Sequence, residues 1–248
     1  MTKSTNSRRT VLTGLAALPL GVSLSACETF DPSILDGVIG AGGLTQADAA
    51  MGIRAALDNG IGNALSTVGV LNGFLGNDAI RVPLPKVLRD VQSYLEPVGA
   101  GGLLNELQVQ LNRGAEAAVP VARDIFVGAV RGLTINDALN IISGPATAAT
   151  DYLRDRTSVS LSSAFSPIME RALDNTGALA LVDQVGSQLN GLPFAPNLGR
   201  DARTDLVSHG VDYGLRGVFR YIGEEEAAIR ANPAKRTSAI LRRVFGQA

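Results

Sequence analysis

Residues 45–68 read TQADAAMGIRAALDNGIGNALSTV, and this stretch is typical of an amphipathic helix. It begins with a capping box, because the Thr45 side chain can accept from the amide of Asp48 while the Asp48 side chain reaches back to the amide of Thr45. Apolar residues then recur at helical spacing, at positions 51, 57, 61, 64, 65 and 68. That spacing places them on one face of a helix. The sequence therefore predicts a helix over 45–68 with one buried side.

The same signals recur through the rest of the chain. A second capping box, Thr134 with Asp137, predicts a short helix, and Thr204 is predicted to begin a long helix that reaches about Ala231. No stretch alternates polar and apolar residues in the manner of a strand. We therefore expect an all-α fold, with a single compact domain of eight to ten helices over residues 44–248.

Two prolines are predicted to interrupt helices. Pro120 follows the helical stretch 103–118, and it is expected to force a kink or a restart because proline lacks the amide hydrogen that an interior position donates. Ser166-Pro167 is expected to begin a new helix, since proline is favoured in a first turn.

The first 26 residues are typical of a bacterial signal peptide. A positively charged start precedes an apolar run over residues 11–26, which is too short to span a bilayer. The run ends in Leu24-Ser25-Ala26-Cys27, which resembles the bacterial lipobox, and Cys27 is the only cysteine in the chain. We expect cleavage before Cys27, a lipid on its thiol, and a tether over residues 27–43.

The export route and the final membrane have their own signals. The segment Ser7-Arg8-Arg9-Thr10-Val11-Leu12 resembles the twin-arginine signal, with Arg8 and Arg9 as its arginine pair. Thr13 replaces the usual lysine, and paired arginines also occur in general secretory signals, so both routes stay open. Glu28 is not the aspartate that retains lipoproteins in the inner membrane of enteric bacteria. We expect an envelope lipoprotein that faces the periplasm, on the outer membrane rather than the inner.

Charge and composition exclude several classes of partner. The chain carries 22 basic and 23 acidic side chains, has no tryptophan, and does not interleave its few aromatic residues with Lys and Arg. Such a chain gains little from counterion release on a phosphate backbone, so no nucleic-acid partner is expected. His209 is the only histidine, and no phosphate loop, EF-hand loop or histidine–cysteine cluster is present, so neither a metal nor a cofactor is expected.

Polar residues that interrupt helices rich in Ala, Leu and Val are the candidates for a site. A ligand site would require them to converge on one cleft. Networks between helices that fix packing are the favoured interpretation, and Glu226 with Arg230 is interpreted as an ordinary helical salt bridge. The candidates are Asn112, Arg113 and Glu116, then Thr150, Tyr152 and Arg154, then Arg230 and Arg236, with Asp137 as a separate acid.

A set of linked motifs covers most of the chain. Its members include Leu111-Asn112-Arg113, Ala115-Glu116, Thr134 with Asp137-Ala138, Ala148-Ala149-Thr150 with Tyr152, Glu224-Glu225-Glu226, Asn232-Pro233 and Val244-Phe245-Gly246. Together they resemble the bacterial family called domain of unknown function 4197, from about Gly43 to Gly246, with a departure at Gly114, where alanine is expected. The resemblance implies an exported helical protein and supplies no reaction, ligand or catalytic residue.

Three functions are consistent with these features. The first is a binding or interaction module that holds a partner protein or an apolar, envelope-derived ligand, which agrees with the predicted anchor and tether. The second is a carboxylate-dependent hydrolase that uses Glu116 or Asp137 with Arg113, and it requires two carboxyl groups at a cleft, one with a raised pKa. The third is a structural envelope component, which differs from the first in lacking a pocket.

Overall fold

A computed structural model of the protein describes residues 45–91, 101–190 and 201–232, together with residues 235 and 242. Within these residues the chain forms seven helices and no strand, which confirms the all-α prediction. The helices are α1 (Gln46–Val68), α2 (Lys86–Asp90), α3 (Gly101–Arg131), α4 (Ile135–Ser143), α5 (Ala148–Asn175), α6 (Ala178–Asn190) and α7 (Ala202–Ala231). The predictions made for Arg8, Arg9, Cys27 and Arg236 lie outside the described residues.

Both predicted capping boxes are present. In α1, the Thr45 hydroxyl oxygen accepts from the Asp48 amide at 3.1 Å, and the Asp48 carboxylate accepts from the Thr45 amide at 2.9 Å. In α4, the same pair of bonds joins Thr134 and Asp137, at 3.1 and 2.9 Å. Each box satisfies amides that a helix start would leave without a partner.

At Pro120 the predicted restart is absent, and the predicted start of a new helix at Pro167 is wrong. Pro120 lies inside α3 and Pro167 lies inside α5, and each helix continues through its proline without a restart. Both prolines lie on the exposed side of their helices. The two helices also form the most extensive helix–helix contact among the described residues, and that packing outweighs the local preference.

The centre of the core is where α3, α5 and α7 approach closely. The Met169 side chain of α5 is fully buried between Gly114 of α3 and Gly210 of α7. A Cβ atom at position 114 would lie 2.4 Å from the Met169 sulfur, and one at position 210 would lie 3.0 Å from it. Two glycines therefore make room for one methionine, which explains the departure from alanine at Gly114.

Among the described residues, no single helix has both the length and the apolar character needed to cross a membrane. By length and composition alone, the bent pair formed by α3 and α4 meets that criterion, with an angle of 103° between its two members.

Candidate functional site

The Glu116 carboxylate is buried in α3 and holds the turn that follows α1. Its Oε1 atom accepts from the backbone amides of Phe74 and Leu75, at 3.1 and 3.2 Å. Its Oε2 atom accepts from Arg113 Nη1 at 2.7 Å. Arg113 in turn donates from Nη2 to the side-chain oxygen of Asn72 at 2.9 Å. The Arg113–Glu116 pair thus positions the loop that follows α1.

Asn112 holds the same loop at a second point, Val82. Its amide oxygen accepts from the backbone amide of Val82 at 2.8 Å, and its Nδ2 atom donates to the Val82 carbonyl at 2.9 Å. The Asn112 side chain is fully buried. It provides hydrogen-bond partners for both the backbone amide and the backbone carbonyl of Val82, whose own side chain lies in the core. Asn112, Arg113 and Glu116 together attach the loop 69–85 to α3.

A second buried carboxylate, Glu226 of α7, caps the start of α5. Glu226 Oε1 accepts from the Ala149 amide at 3.0 Å, and Oε2 accepts from the Thr150 amide at 2.8 Å and from the Thr150 hydroxyl at 2.7 Å. Thr147, at the N-cap position of α5, makes no capping bond with its side chain. A carboxylate is favoured at this position because the helix dipole places positive charge at the N-terminus. Glu226 therefore supplies from another helix the cap that α5 lacks.

Arg230 extends this network to a third helix. Its Nε and Nη2 atoms donate to Glu226 Oε1 at 3.1 and 2.8 Å, and Nη2 also donates to the carbonyl of Ile141 in α4 at 2.8 Å. The side chains of Arg230 and Glu226 are 17% and 7% exposed, so both charges have lost most of their hydration. Five hydrogen bonds to one carboxylate compensate for that loss. The network joins α4, α5 and α7 at one point.

An apolar crevice lies beside the Glu226–Arg230 network. Its cavity volume is about 40 Å³, so it is a narrow opening, smaller than a pocket that encloses a drug-sized ligand. Isoleucine, leucine, alanine and glycine side chains from four helices form its walls, and Glu226 and Arg230 are its only charged lining residues in the described part of the chain. The lining residues are Ile53, Ala56, Leu57, Gly60 and Ile61 of α1, Ile141 of α4, Ala149 of α5, and Ile222, Glu226, Ile229 and Arg230 of α7.

The remaining candidate residues occupy other places. Asp137 closes the capping box of α4, where the amide and hydroxyl of Thr134 donate to its carboxylate and hold its pKa below the ordinary value. Tyr152 is half-buried, and burial raises the pKa of its phenol. Arg154 is exposed and pairs with Asp151 at 2.8 Å. Of the described candidates, only Arg230 lines the crevice, so the three predicted groups do not converge there.

The single histidine has a packing role. His209 is half-buried in α7, its Nε2 atom lies 2.7 Å from the carbonyl oxygen of Pro83, and its ring lies against that of Tyr213, with the centroids 4.4 Å apart. Burial lowers the pKa of His209, which favours the neutral imidazole.

Sequence reasoning placed Glu226 in a helical salt bridge but did not identify its cap or the crevice. The salt bridge is present, at 2.8 Å. The sequence did contain a signal that Glu226 is buried, namely its position around the helix. Glu226 lies four residues after the buried Ile222 and shares its helix face, whereas Glu224 is directed outward. Helical phase alone could have assigned Glu226 to the buried face. The identity of its partners, some 76 residues earlier, has no local signal.

The geometry gives no support to Glu116 or Asp137 as the carboxylate of a hydrolase. Glu116 is engaged by two backbone amides and one guanidinium group, and the lowered pKa of Asp137 is the opposite of what a general acid needs. Over the described ranges, no cluster of His, Cys, Asp and Glu side chains could hold a metal ion.

Comparison with protein families gives one match. The family model described as "protein of unknown function (DUF4197)" matches residues 43–246. The chain belongs to this family. The limits of the match agree with the resemblance seen in the sequence, and the matched region contains both buried carboxylates and the crevice. Neither a curated protein nor a solved structure matches the chain.

Proposed function

We propose that this protein is a membrane-tethered binding module whose crevice takes up an aliphatic chain of an envelope-derived ligand. The observation that carries the proposal is the crevice itself, an opening between α1, α4 and α7 with almost wholly aliphatic walls. Each methylene group moved from water into such walls contributes about 0.8 kcal/mol. An aliphatic chain that lies along the opening would therefore gain free energy in proportion to the number of methylene groups that it buries there.

The chemistry of the lining favours an aliphatic ligand over a polar one. Glu226 already accepts five hydrogen bonds, whereas a carboxylate has about four lone-pair positions, so it has no acceptor capacity left for a ligand. The described lining contains no aromatic ring that would favour a planar ligand. The Glu226–Arg230 network instead holds the three helix segments around the opening in fixed positions, which lowers the entropic cost of binding.

The predicted anchor supports the same proposal. A lipid on Cys27 and the tether over residues 27–43 would keep the domain within about 60 Å of the membrane surface, because an extended residue spans at most about 3.6 Å. We place the protein on the periplasmic side of the outer membrane, where lipid-derived ligands are concentrated. The purely structural alternative differs in requiring no ligand, so a binding measurement separates the two.

The test is a binding assay with a variant that fills the crevice. Gly60 lines the opening, and a Cβ atom there would lie 3.6 Å from the Cβ of Glu225 and 3.8 Å from Ile229 Cδ1, which are ordinary contacts. Gly60→Leu can therefore place its side chain in the space of the ligand. Gly128→Leu in α3 is the matched control, because a Cβ atom at that position meets nothing within 4 Å.

Binding of the aliphatic alcohol 1-octanol to the purified protein is measured directly by isothermal titration calorimetry. We expect saturable binding by the unmodified protein and by Gly128→Leu, and binding by Gly60→Leu that is weaker by about tenfold or more, equivalent to roughly 1.4 kcal/mol. Absence of saturable binding in the unmodified protein, or equal affinity of Gly60→Leu, would contradict the proposal.

A further inference from the structure

A second groove lies between the outer faces of α5 and α7. Its α7 wall carries Arg216 and Arg220, its α5 wall carries Arg154, and its volume is about 410 Å³. Its other lining residues include Ser162 and one acid, Asp212. Three guanidinium groups thus share one groove in a protein whose net charge is −1. The positive charge is local and does not follow from a generally basic surface.

Two of the three arginines are only partly engaged. Arg154 donates to Asp151 through Nη1 at 2.8 Å, and Arg220 donates to Glu224 through Nε at 3.0 Å. Each of these pairs lies within one helix, and both arginine side chains are about half exposed, at 49% and 54%. A guanidinium group has five N–H donors, so each of these arginines retains donors that can reach a ligand.

Arg216 is held in place without being neutralised. Its guanidinium carbon lies 4.2 Å from the centre of the Tyr213 ring, a cation–π contact that holds the group against the ring. Within the residues that the structure describes, Arg216 makes no ion pair, although Asp212 lies one turn before it. The cation–π contact therefore holds the Arg216 side chain in place while leaving its charge available.

The arrangement places like charges together. Arg216 and Arg220 are four residues apart on α7 and repel each other, and packing against α5 adds Arg154 to the same groove. Arg216 and Arg220 also line a groove on their other side, which Arg81 shares. A bound anion with several oxygens would remove this repulsion, and the planar fork of arginine matches such oxygens in pairs.

We propose that the groove between α5 and α7 binds a phosphate-class anion, with Arg154, Arg216 and Arg220 as its donors. The Ser162 hydroxyl lines the same groove and can donate to a further oxygen. The anion could be supplied by a phospholipid headgroup or by a soluble phosphate compound. This site is distinct from the aliphatic crevice, with which it shares no lining residue.

Calorimetric titration of the purified protein with inorganic pyrophosphate, in a buffer free of phosphate, tests the site directly. We expect one saturable site that Arg216→Gln weakens by about fivefold or more, because it removes the cation that has no carboxylate partner. Arg171→Gln removes the same charge from α5 outside the groove, and we expect it to change the affinity by less than about twofold. The crevice variant Gly60→Leu should bind pyrophosphate normally, so failure of one site does not imply failure of the other.

Sedimentation with phosphatidylcholine vesicles, with and without phosphatidylglycerol, identifies the source of the anion. Association that requires phosphatidylglycerol and is weakened by Arg216→Gln assigns the groove to a headgroup, whereas pyrophosphate binding without vesicle association assigns it to a soluble compound. Either result supports the site. Failure to bind both probes, or equal losses in Arg216→Gln and Arg171→Gln, would overturn it, and circular dichroism of each variant verifies that it folds.

Discussion

Glu226 of α7 accepts hydrogen bonds from both the backbone amide and the hydroxyl of Thr150 in α5, at 2.8 and 2.7 Å. The two residues are 76 positions apart in the chain. The start of one long helix is therefore completed by a side chain from another, and the same carboxylate holds Arg230 against α4.

Glu226→Ala should be among the most destabilising substitutions of a polar residue in this protein. It leaves the Arg230 charge buried without its carboxylate and the first amides of α5 without a cap, so we expect a loss of about 3–5 kcal/mol in the free energy of unfolding. Urea denaturation measures the free energy of unfolding of each variant. Glu224→Ala, in the same acidic run but paired at the surface with Arg220, should change stability by no more than about 0.5 kcal/mol. Comparable losses in both variants would refute the role of Glu226 as a cap.

Replacing Glu116 should loosen the loop 69–85. Glu116→Ala removes the acceptor of the Phe74 and Leu75 amides, and we expect a loss of about 2–4 kcal/mol together with faster hydrogen exchange at those two amides. Arg113→Ala should lower the free energy of unfolding by less, because the Arg113 side chain is 29% exposed and its Nη2 atom donates to a surface asparagine, Asn72. Glu106→Gln, at an exposed position of α3, is the control. Unchanged exchange at Phe74 and Leu75 in Glu116→Ala would contradict this assignment.

The Thr134–Asp137 capping box should make stability depend on pH in the acid range. Hydrogen bonds from Thr134 lower the pKa of Asp137 below its ordinary value of 3.8, so the folded state favours the ionised carboxylate. This contribution is complete above pH 3.8 and is lost as the pH falls through the lower pKa of the folded state. Asp137→Asn should therefore melt at a lower temperature than the unmodified protein at pH 7, and the difference should shrink with acidification. Asp155→Asn, at an exposed site within α5, is the matched control.

Gly114→Ala and Gly128→Ala, two identical changes in α3, should have opposite effects. At position 114 the new methyl group would lie 2.4 Å from the sulfur of the fully buried Met169, so we expect a loss of about 1–3 kcal/mol. At position 128 a methyl group meets nothing within 4 Å, and alanine should stabilise the helix by about 0.5–1 kcal/mol. Thermal denaturation gives both values. A stabilising Gly114→Ala would show that Met169 repacks freely.

Cys27→Ala should release the protein from the membrane. The proposed anchor is a lipid on this thiol, and a lipid attached to the chain supplies the membrane affinity. Fractionation of cells, combined with labelling by a fatty-acid analogue, measures both the anchor and its loss. Continued membrane attachment of an unlabelled Cys27→Ala variant would contradict the anchor, and Arg8→Lys with Arg9→Lys tests the twin-arginine route in the same assay.

The sequence correctly predicted the parts of the fold that depend on interactions between residues close together along the chain. The Thr45–Asp48 and Thr134–Asp137 boxes join residues three apart, and both are present. The restart at Pro120 and the helix start at Pro167 were predicted wrongly because a local rule for proline does not include the exposure of the residue or the contact between α3 and α5.

Less of the candidate site could be predicted from the sequence. Glu116 and Glu226 were visible as acids within helices, but their acceptor roles toward Phe74 and Thr150 depend on contacts 42 and 76 residues apart. The crevice is assembled from four helices, and no segment of the sequence contains enough of its walls to indicate it.

The cap that Glu226 provides also constrains the order in which the protein can fold during synthesis. When α5 leaves the ribosome, the residue that completes its first turn has not yet been translated, although α3, with which α5 makes its most extensive contact, has. The cap of α5 therefore cannot form until the chain is available as far as Glu226. A chain that ends before Glu226 would leave the first amides of α5 without this cap, and that end of the helix would open more readily to proteases.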